Sequence, residues 1–394
     1  MKRISIILSI ALGCSSIVSS QETVKGILEE VSQNNTTLTA LRQHADAEKL
    51  ANKTGIYLQN PEVGFNYLWG DPSSIGSRQD FSISQSFDFP TVYSYQNKIS
   101  DIRNEQVELE YLKQEKAIKL EAEQLLYDLI YMNGLLEVQE ERSSNADIIA
   151  VSSQSRFELG EISKLEYNKA ALNQLNAEKE KHAILVERDA MLNELVSLNG
   201  GRKISFDGRA FLETSLPSDF EQWYAEAEEN NPILNWLKQE LEASLKEEKL
   251  NLAKGLPSFH AGYMSESVVG ESFRGVSIGL TIPLWENKNA VKYAKARSIA
   301  VEGIATDKKI QFYNHLKKLH ARALSLKENS EAFRVRIEEV DNRDMLVSAL
   351  EAGEIDLLDV MLESDFIYES LKWALEMERD LHKAVAELEQ YSNK

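Results

Sequence analysis

The sequence predicts a mainly α chain with a small β part: duplicated long-helix hairpins, each carrying a pair of short amphipathic strands. Three observations predict it. The chain repeats itself with a domain-sized period, it contains two long stretches without proline, and four segments alternate apolar and polar residues. The repeat is visible residue by residue. Asn34-Asn35 returns as Asn230-Asn231, Pro61 as Pro257 and Tyr67 as Tyr263, each 196 positions later. Phe157-Glu158-Leu159-Gly160-Glu161-Ile162 returns as Leu350-Glu351-Ala352-Gly353-Glu354-Ile355. Solenoid units run to roughly 20–50 residues, so a period this long is a duplicated module.

The helices follow from where proline is missing. The seven prolines are Pro61, Pro72, Pro90, Pro217, Pro232, Pro257 and Pro283. Proline costs about 3 kcal/mol inside a helix, so the spans after Pro90 and after Pro283 are where long helices can form. Both are rich in Glu, Lys, Leu, Ala and Gln. Ile118, Leu125, Leu129, Met132 and Leu136 step by seven, four, three and four, the spacing of a coiled-coil seam. The first long helix is placed at 91–157, about 100 Å of rod. A rod that long buries its stripe only against other long helices. Gly160 and Gly353 then end the long helices, and each tip leads into a further helix.

The first repeat accordingly covers 21–198, with an opening helix, strands at 61–70 and 79–90, the long helix, the tip and a helix at 164–198. Residues 199–216 form a linker or equatorial segment. The second repeat covers 217–394, with strands at 257–266 and 274–285, a long helix at 287–351 and a last helix at 356–391.

The strands carry the functional signal. Val63, Phe65, Tyr67 and Trp69 share one face of the first; Phe81, Ile83, Phe87 and Phe89 share one face of the second. Phe259 and Tyr263 do so in the third, and Val276, Ile278, Leu280 and Ile282 in the fourth. The opposite faces are small or polar. Half-buried hairpins packed on helices account for such alternation in a soluble protein. A membrane barrel wall, apolar outward and polar inward, accounts for it too. The aromatics near strand ends and the polar, Gly-rich connections Asp71–Arg78 and Ser267–Arg274 favour the wall. Four strands cannot close a barrel, and an open edge in hydrocarbon costs several kcal/mol per unpaired group. Other copies of the chain must then complete it.

Composition narrows the remaining classes. Lys2-Arg3 and the apolar run Ile4 to Leu12 read as a secretory signal over 1–20, with cleavage after Ser20 or lipidation of Cys14 as the alternatives. Cys14 is the only cysteine, so a chain cleaved after Ser20 has no disulfide framework. The formal charge of −19 argues against a nucleic-acid partner, which needs clustered Lys and Arg. No later segment has the roughly 18 apolar residues of a membrane helix. No Walker A pattern or nucleophile constellation occurs, so neither an enzyme nor a cofactor is expected. His315 and His320 stand five apart, off the spacing that puts two metal ligands on one helical face, and His44, His182, His260 and His382 stand alone. No metal site is expected.

The layout resembles the TolC family of outer-membrane efflux proteins over essentially the whole mature chain. The residues that carry the resemblance are Asn60-Pro61 opening the first strand, Ser84-Gln85-Ser86-Phe87 ending the second, and the paired Gly-Glu-Ile tips. Gln85-Ser86-Phe87-Asp88-Phe89-Pro90 is also similar to the CusC and CzcC-like heavy-metal branch. The resemblance implies a homotrimer, with a 12-stranded barrel in outer-membrane lipid and an α-helical tunnel in the periplasm. It implies a passive exit duct, reached through a periplasmic adaptor from an inner-membrane pump of the RND type. Gly160, Glu161, Ile162, Gly353, Glu354 and Ile355 match the family's adaptor-docking tips. Glu166 and Asp359 match acids of its pore constriction. Ile355 and Leu362 depart from the family's closing network, which must differ here. The rival reading is a soluble periplasmic coiled-coil protein, structural or an adaptor. Two hairpins, each with its own strand pair, disfavour it.

Overall fold

The computed structural model of the chain describes residues 13–340 and 343–392. The start of the expected signal, residues 1–12, lies outside the described residues. The elements run α1 (Gly13–Asn34), α2 (Thr36–Ala51), β1 (Glu62–Trp69), β2 (Ser77–Phe87), α3 (Pro90–Glu158) and α4 (Lys164–Leu198). The second set is α5 (Phe220–Glu229), α6 (Pro232–Ala253), β3 (Ser258–Val268), β4 (Glu271–Thr281), α7 (Ala290–Val340), α8 (Arg343–Ala352) and α9 (Leu357–Glu389). The order of element types is the same in both repeats except that two helices, α7 and α8, stand where the first repeat has the single long helix α3 and where one helix was expected over 287–351. No described helix is long and apolar enough to cross a membrane.

The repeated Asn-Asn pair is a helix-capping device. Asn35 breaks α1 from α2, and its Oδ1 accepts the N–H of Leu38 at 2.9 Å. Asn231 separates α5 from α6 in the same way and accepts the N–H groups of Ile233 and Leu234 at 2.8 and 3.2 Å. Pro232 at the first helical position gives up no hydrogen bond there. Both caps are buried. A buried cap serves twice, by satisfying orphan donors and by fixing where the chain turns.

The strands form one antiparallel sheet in the order β1-β2-β3-β4. The β3–β4 connection differs from the expected loop over Ser267–Arg274. The strands continue to Val268 and Glu271, joined by Val269 (φ 49°) and Gly270 (φ 90°). Positive φ at both central residues is the type I′ geometry whose twist matches that of a hairpin. The tight turn draws β4 three residues earlier than the predicted 274–285, and Pro283, which has no N–H for the ladder, lies beyond its end.

Contacts divide the chain into two compact units, and both repeats contribute to each. The first comprises Met1–Thr39, Gln114–Asn230 and Tyr313–Lys394. Its core joins Val24, Ile27 and Val31 of α1 to Leu126, Leu129 and Ile130 of α3 and to Leu195 of α4. Phe206, from the extended segment after α4, is buried in the same cluster. That segment is held by its own backbone carbonyls: Asn133 donates to the Gly208 oxygen at 2.8 Å, and Lys327 to the Thr214 oxygen at 3.2 Å.

The second unit comprises Ala40–Lys113 and Asn231–Phe312 and holds the sheet. Ion pairs tie its helices. Arg42 of α2 takes both carboxylate oxygens of Glu108, at 2.9 and 2.8 Å. Arg297 of α7 bridges Glu240 and Glu247 of α6, each at 2.7 Å. Two bonded cations, Lys49 first and Arg42 second, hold the Glu108 carboxyl below its ordinary value.

Candidate functional site

The two faces of the sheet differ chemically, most clearly in the rows nearest the helices. Val63, Ile83, Tyr263 and Val276 lie directly across from one another over all four strands. The adjacent row on the other face is Gly64, Ser82, Met264 and Gly275. The apolar face is open to its surroundings: Trp69 is 81 % exposed, Val276 79 % and Ile278 82 %. Val63, Phe65, Tyr67, Phe81, Ile83, Phe259, Tyr263, Leu280 and Ile282 are exposed as well. Phe87 and Phe89, at the helical end, are half-buried, and Phe89 meets the Phe259 ring at 6.5 Å.

The polar face is crowded at three of its four strand glycines, and a Cβ at the fourth, Gly275, would meet nothing within 4 Å. A methyl added to Gly64 would stand 2.8 Å from the Ser82 hydroxyl. One added to Gly262 would stand 2.7 Å from the Ile83 carbonyl oxygen and 2.9 Å from the Ser277 hydroxyl. One added to Gly279 would stand 2.1 Å from the His260 Cε1 and 2.2 Å from its Nε2. Side chains converge on the concave side of a curved sheet and diverge on the convex side. Small residues at Gly64, Ser82, Gly262, Ser277 and Gly279 suit the concave side of a curved sheet, and the bulkier apolar residues of the other face suit the convex side. Arg78 bridges Asp80 (2.8 Å) and Glu266 (3.2 Å) on the concave face.

Sequence reasoning missed a group of exposed apolar and aromatic residues just outside the strands. Tyr57 and Leu58 precede β1, and Trp285 follows β4; all three are exposed. Aromatic rings flanking an apolar band occupy membrane–water interfaces. The available signal was their position within a few residues of a strand end.

The helical tips are built alike. Gly160 (φ 76°) and Gly353 (φ 72°) sit in left-handed backbone. The Glu161 N–H reaches the Arg156 oxygen and the Glu354 N–H reaches the Ala349 oxygen, both at 2.9 Å. These are matching Schellman closures. Glu161 and Glu354 are exposed, whereas Ile162 is half-buried and Ile355 packs against the cluster of Ile149, Ala170, Leu346 and Val360. Phe157 stacks on Tyr167 at 5.3 Å across the first tip.

Glu166 and Asp359 occupy the third position of α4 and α9. Glu166 has a local task there: its carboxylate accepts the Ser163 N–H at 2.7 Å while the Ser163 hydroxyl accepts the Glu166 N–H at 3.2 Å. This capping box holds the Glu166 carboxyl below its usual value, chiefly through the Ser163 bonds. Asp359 is exposed, and its N–H bonds the cap residue Asp356 at 2.9 Å.

Farther from the tips, Arg142 of α3 ion-pairs with Glu180 of α4 and, at 2.7 Å, with Asp365 of α9. Asn145 donates to the Tyr368 hydroxyl at 3.1 Å beside it. Among the described residues no group of three or more potential metal ligands occurs. His315 pairs with Glu387 at 2.9 Å, and His320 bonds the Pro217 oxygen at 2.9 Å.

No family profile matches the chain, and no curated protein matches it. Solved structures do. The chain is similar to the CusC channel at 14 % identity, with 95 % of this chain and 92 % of that one covered and a TM-score of 0.79. A membrane protein from Pseudomonas aeruginosa matches at 15 % identity, over 99 % and 98 % of the two chains, with a TM-score of 0.78. The CmeC outer membrane channel of Campylobacter jejuni matches at 12 % identity, over 94 % and 85 %, with a TM-score of 0.74.

Proposed function

We propose that this chain, whose fold is that of the outer-membrane channels, is the exit duct of a tripartite efflux system and a member of the TolC family. The observation that carries the reading is the sheet: an exposed apolar face, a polar face rich in glycine and serine, and two free edges, β1 and β4. In water such a face is a large unburied patch. In lipid it is in its proper solvent, and the free edges pair with other copies. Three chains supply twelve strands.

The helices support the same assembly. Leu165, Leu172, Leu175 and Val186 on α4, and Leu358, Leu362, Phe366 and Trp373 on α9, are exposed at near-heptad steps. Such seams are completed by further helices. The tips at Gly160 and Gly353 meet a periplasmic adaptor, which connects the duct to an inner-membrane pump of the RND type. At rest the tip coils close the pore, and adaptor docking moves one hairpin outward. The cargo class this reading assigns is a heavy-metal cation. Its supports are the resemblance of Gln85–Pro90 to that branch and the net charge of −19.

Cell fractionation tests the duct. The chain is expected in the outer membrane, running in detergent as a trimer that dissociates on heating; a monomer in periplasmic extract ends the proposal. The constriction is tested separately. Asp359→Asn is expected to lower the cation preference measured by reversal potential across a planar bilayer. Unchanged selectivity removes Asp359 from the pore.

A further inference from the structure

His382 lies on α9, is 5 % exposed, and has an acceptor at each ring nitrogen. Nδ1 stands 2.8 Å from the Glu378 carbonyl oxygen, one turn earlier on the same helix. Nε2 stands 2.7 Å from the Leu212 carbonyl oxygen, in the extended segment between α4 and α5. A carbonyl oxygen only accepts, and a neutral imidazole has one N–H. Both contacts are hydrogen bonds only when both nitrogens carry protons. The ring is flanked by Phe211 (centroids 4.8 Å) and Tyr127 (5.3 Å), whose faces suit a cation.

We infer that His382 is a pH-sensitive clamp: as an imidazolium it fastens the extended segment around Leu212 to α9, and on losing its proton it releases one end of that link. Whichever nitrogen loses its proton then turns a lone pair toward a carbonyl oxygen less than 3 Å away, and the repulsion moves the ring out of the clamp. The clamp lies within a single compact unit and does not depend on the duct reading.

Other titratable groups face the same place. On α9 the Glu378 carboxyl is pushed up, first by burial. On α3 Glu123, which accepts the Tyr127 hydroxyl at 3.0 Å, is also pushed up by burial. On α7 Lys327, Glu331 and Arg334 line a cleft of about 250 Å³ beside the ring, with Glu213 of the extended segment. A carboxyl whose folded pKa is raised contributes stability at low pH and loses it as pH rises through the folded value. Both buried acids therefore act in the same direction as the imidazole, and variants are needed to separate them.

The test is hydrogen exchange, read by mass spectrometry on the detergent-solubilised full chain at pH 5.5 and 8.5 and corrected for the intrinsic rate. Peptides covering 205–216 are expected to exchange at least about tenfold faster at the higher pH. His382→Gln is expected to flatten that difference, and Glu378→Gln to keep one. A pH-independent rate, or a difference that survives His382→Gln unchanged, overturns the proposal. Should His382→Gln loosen the whole unit, the wild-type ring decides the matter. Spectra of ¹⁵N-histidine-labelled protein at pH 5.5 are expected to show His382 protonated at both nitrogens, and a neutral tautomer there overturns the clamp.

Discussion

Ile278→Arg is expected to block assembly of the sheet in the outer membrane. Ile278 is 82 % exposed on the convex face, and its register partner Ala261 offers no polar group to receive a guanidinium. A charged side chain on the lipid face of a membrane barrel costs about 2–4 kcal/mol near the bilayer midplane. Every copy of the chain carries the change, so a trimer bears that cost three times. The comparison variant is Gly275→Arg, three positions earlier on the same strand and on the concave face. A Cβ there meets nothing within 4 Å, so the new side chain has room and faces the polar side. Heat-sensitive trimers extracted from outer membranes measure the outcome: lost or sharply reduced for Ile278→Arg, retained for Gly275→Arg. The two variants carry the same charge and differ in the face that bears it. Equal assembly of both would take the convex face out of lipid. A gain in soluble yield for Ile278→Arg would favour a soluble coiled-coil protein instead.

Much of this architecture is legible in the sequence because its determinants are local. Proline is excluded from helix interiors, so the empty stretch after Pro90 is occupied by α3, which begins at Pro90 itself. Glycine is favoured where φ is positive, so Gly160 and Gly353 mark the tips. Alternation in a strand has period two whatever surrounds it, so the faces could be assigned before the pairing was known. What was not legible depends on partners distant in sequence or without sequence identity. Arg142 reads as one more helical arginine until Glu180 and Asp365 are found on either side of it. His382 reads as a lone histidine because its partners are carbonyl oxygens, which every residue has. The Val269-Gly270 turn was missed because valine is a poor indicator of positive φ. Glu166, which the resemblance matches to a pore acid, also caps its own helix, a task served by the Ser163–Glu166 spacing itself.

Gly160→Val and Gly353→Val are each expected to cut export at least about tenfold while leaving trimers intact. At φ 76° and 72° a β-branched residue is strained, by roughly 1–2 kcal/mol on the scale of left-handed L-residues. A Cβ at either position meets nothing within 4 Å, so backbone strain and not a clash of that carbon is the penalty. That amount is small beside the burial of an assembled barrel and tunnel, so the oligomer survives. It is large beside one turn of chain, which shifts to relieve it and carries the exposed Glu161 or Glu354 out of place. Asparagine tolerates left-handed backbone, so Gly160→Asn and Gly353→Asn add a comparable side chain with far less strain and are expected to export near normally. Cargo accumulation in intact cells and trimer recovery from the same membranes separate the outcomes. Normal export by both valine variants would refute adaptor docking at these turns. Loss by the asparagine variants as well would show that the open space above each glycine, and not its backbone angle, is what the partner requires.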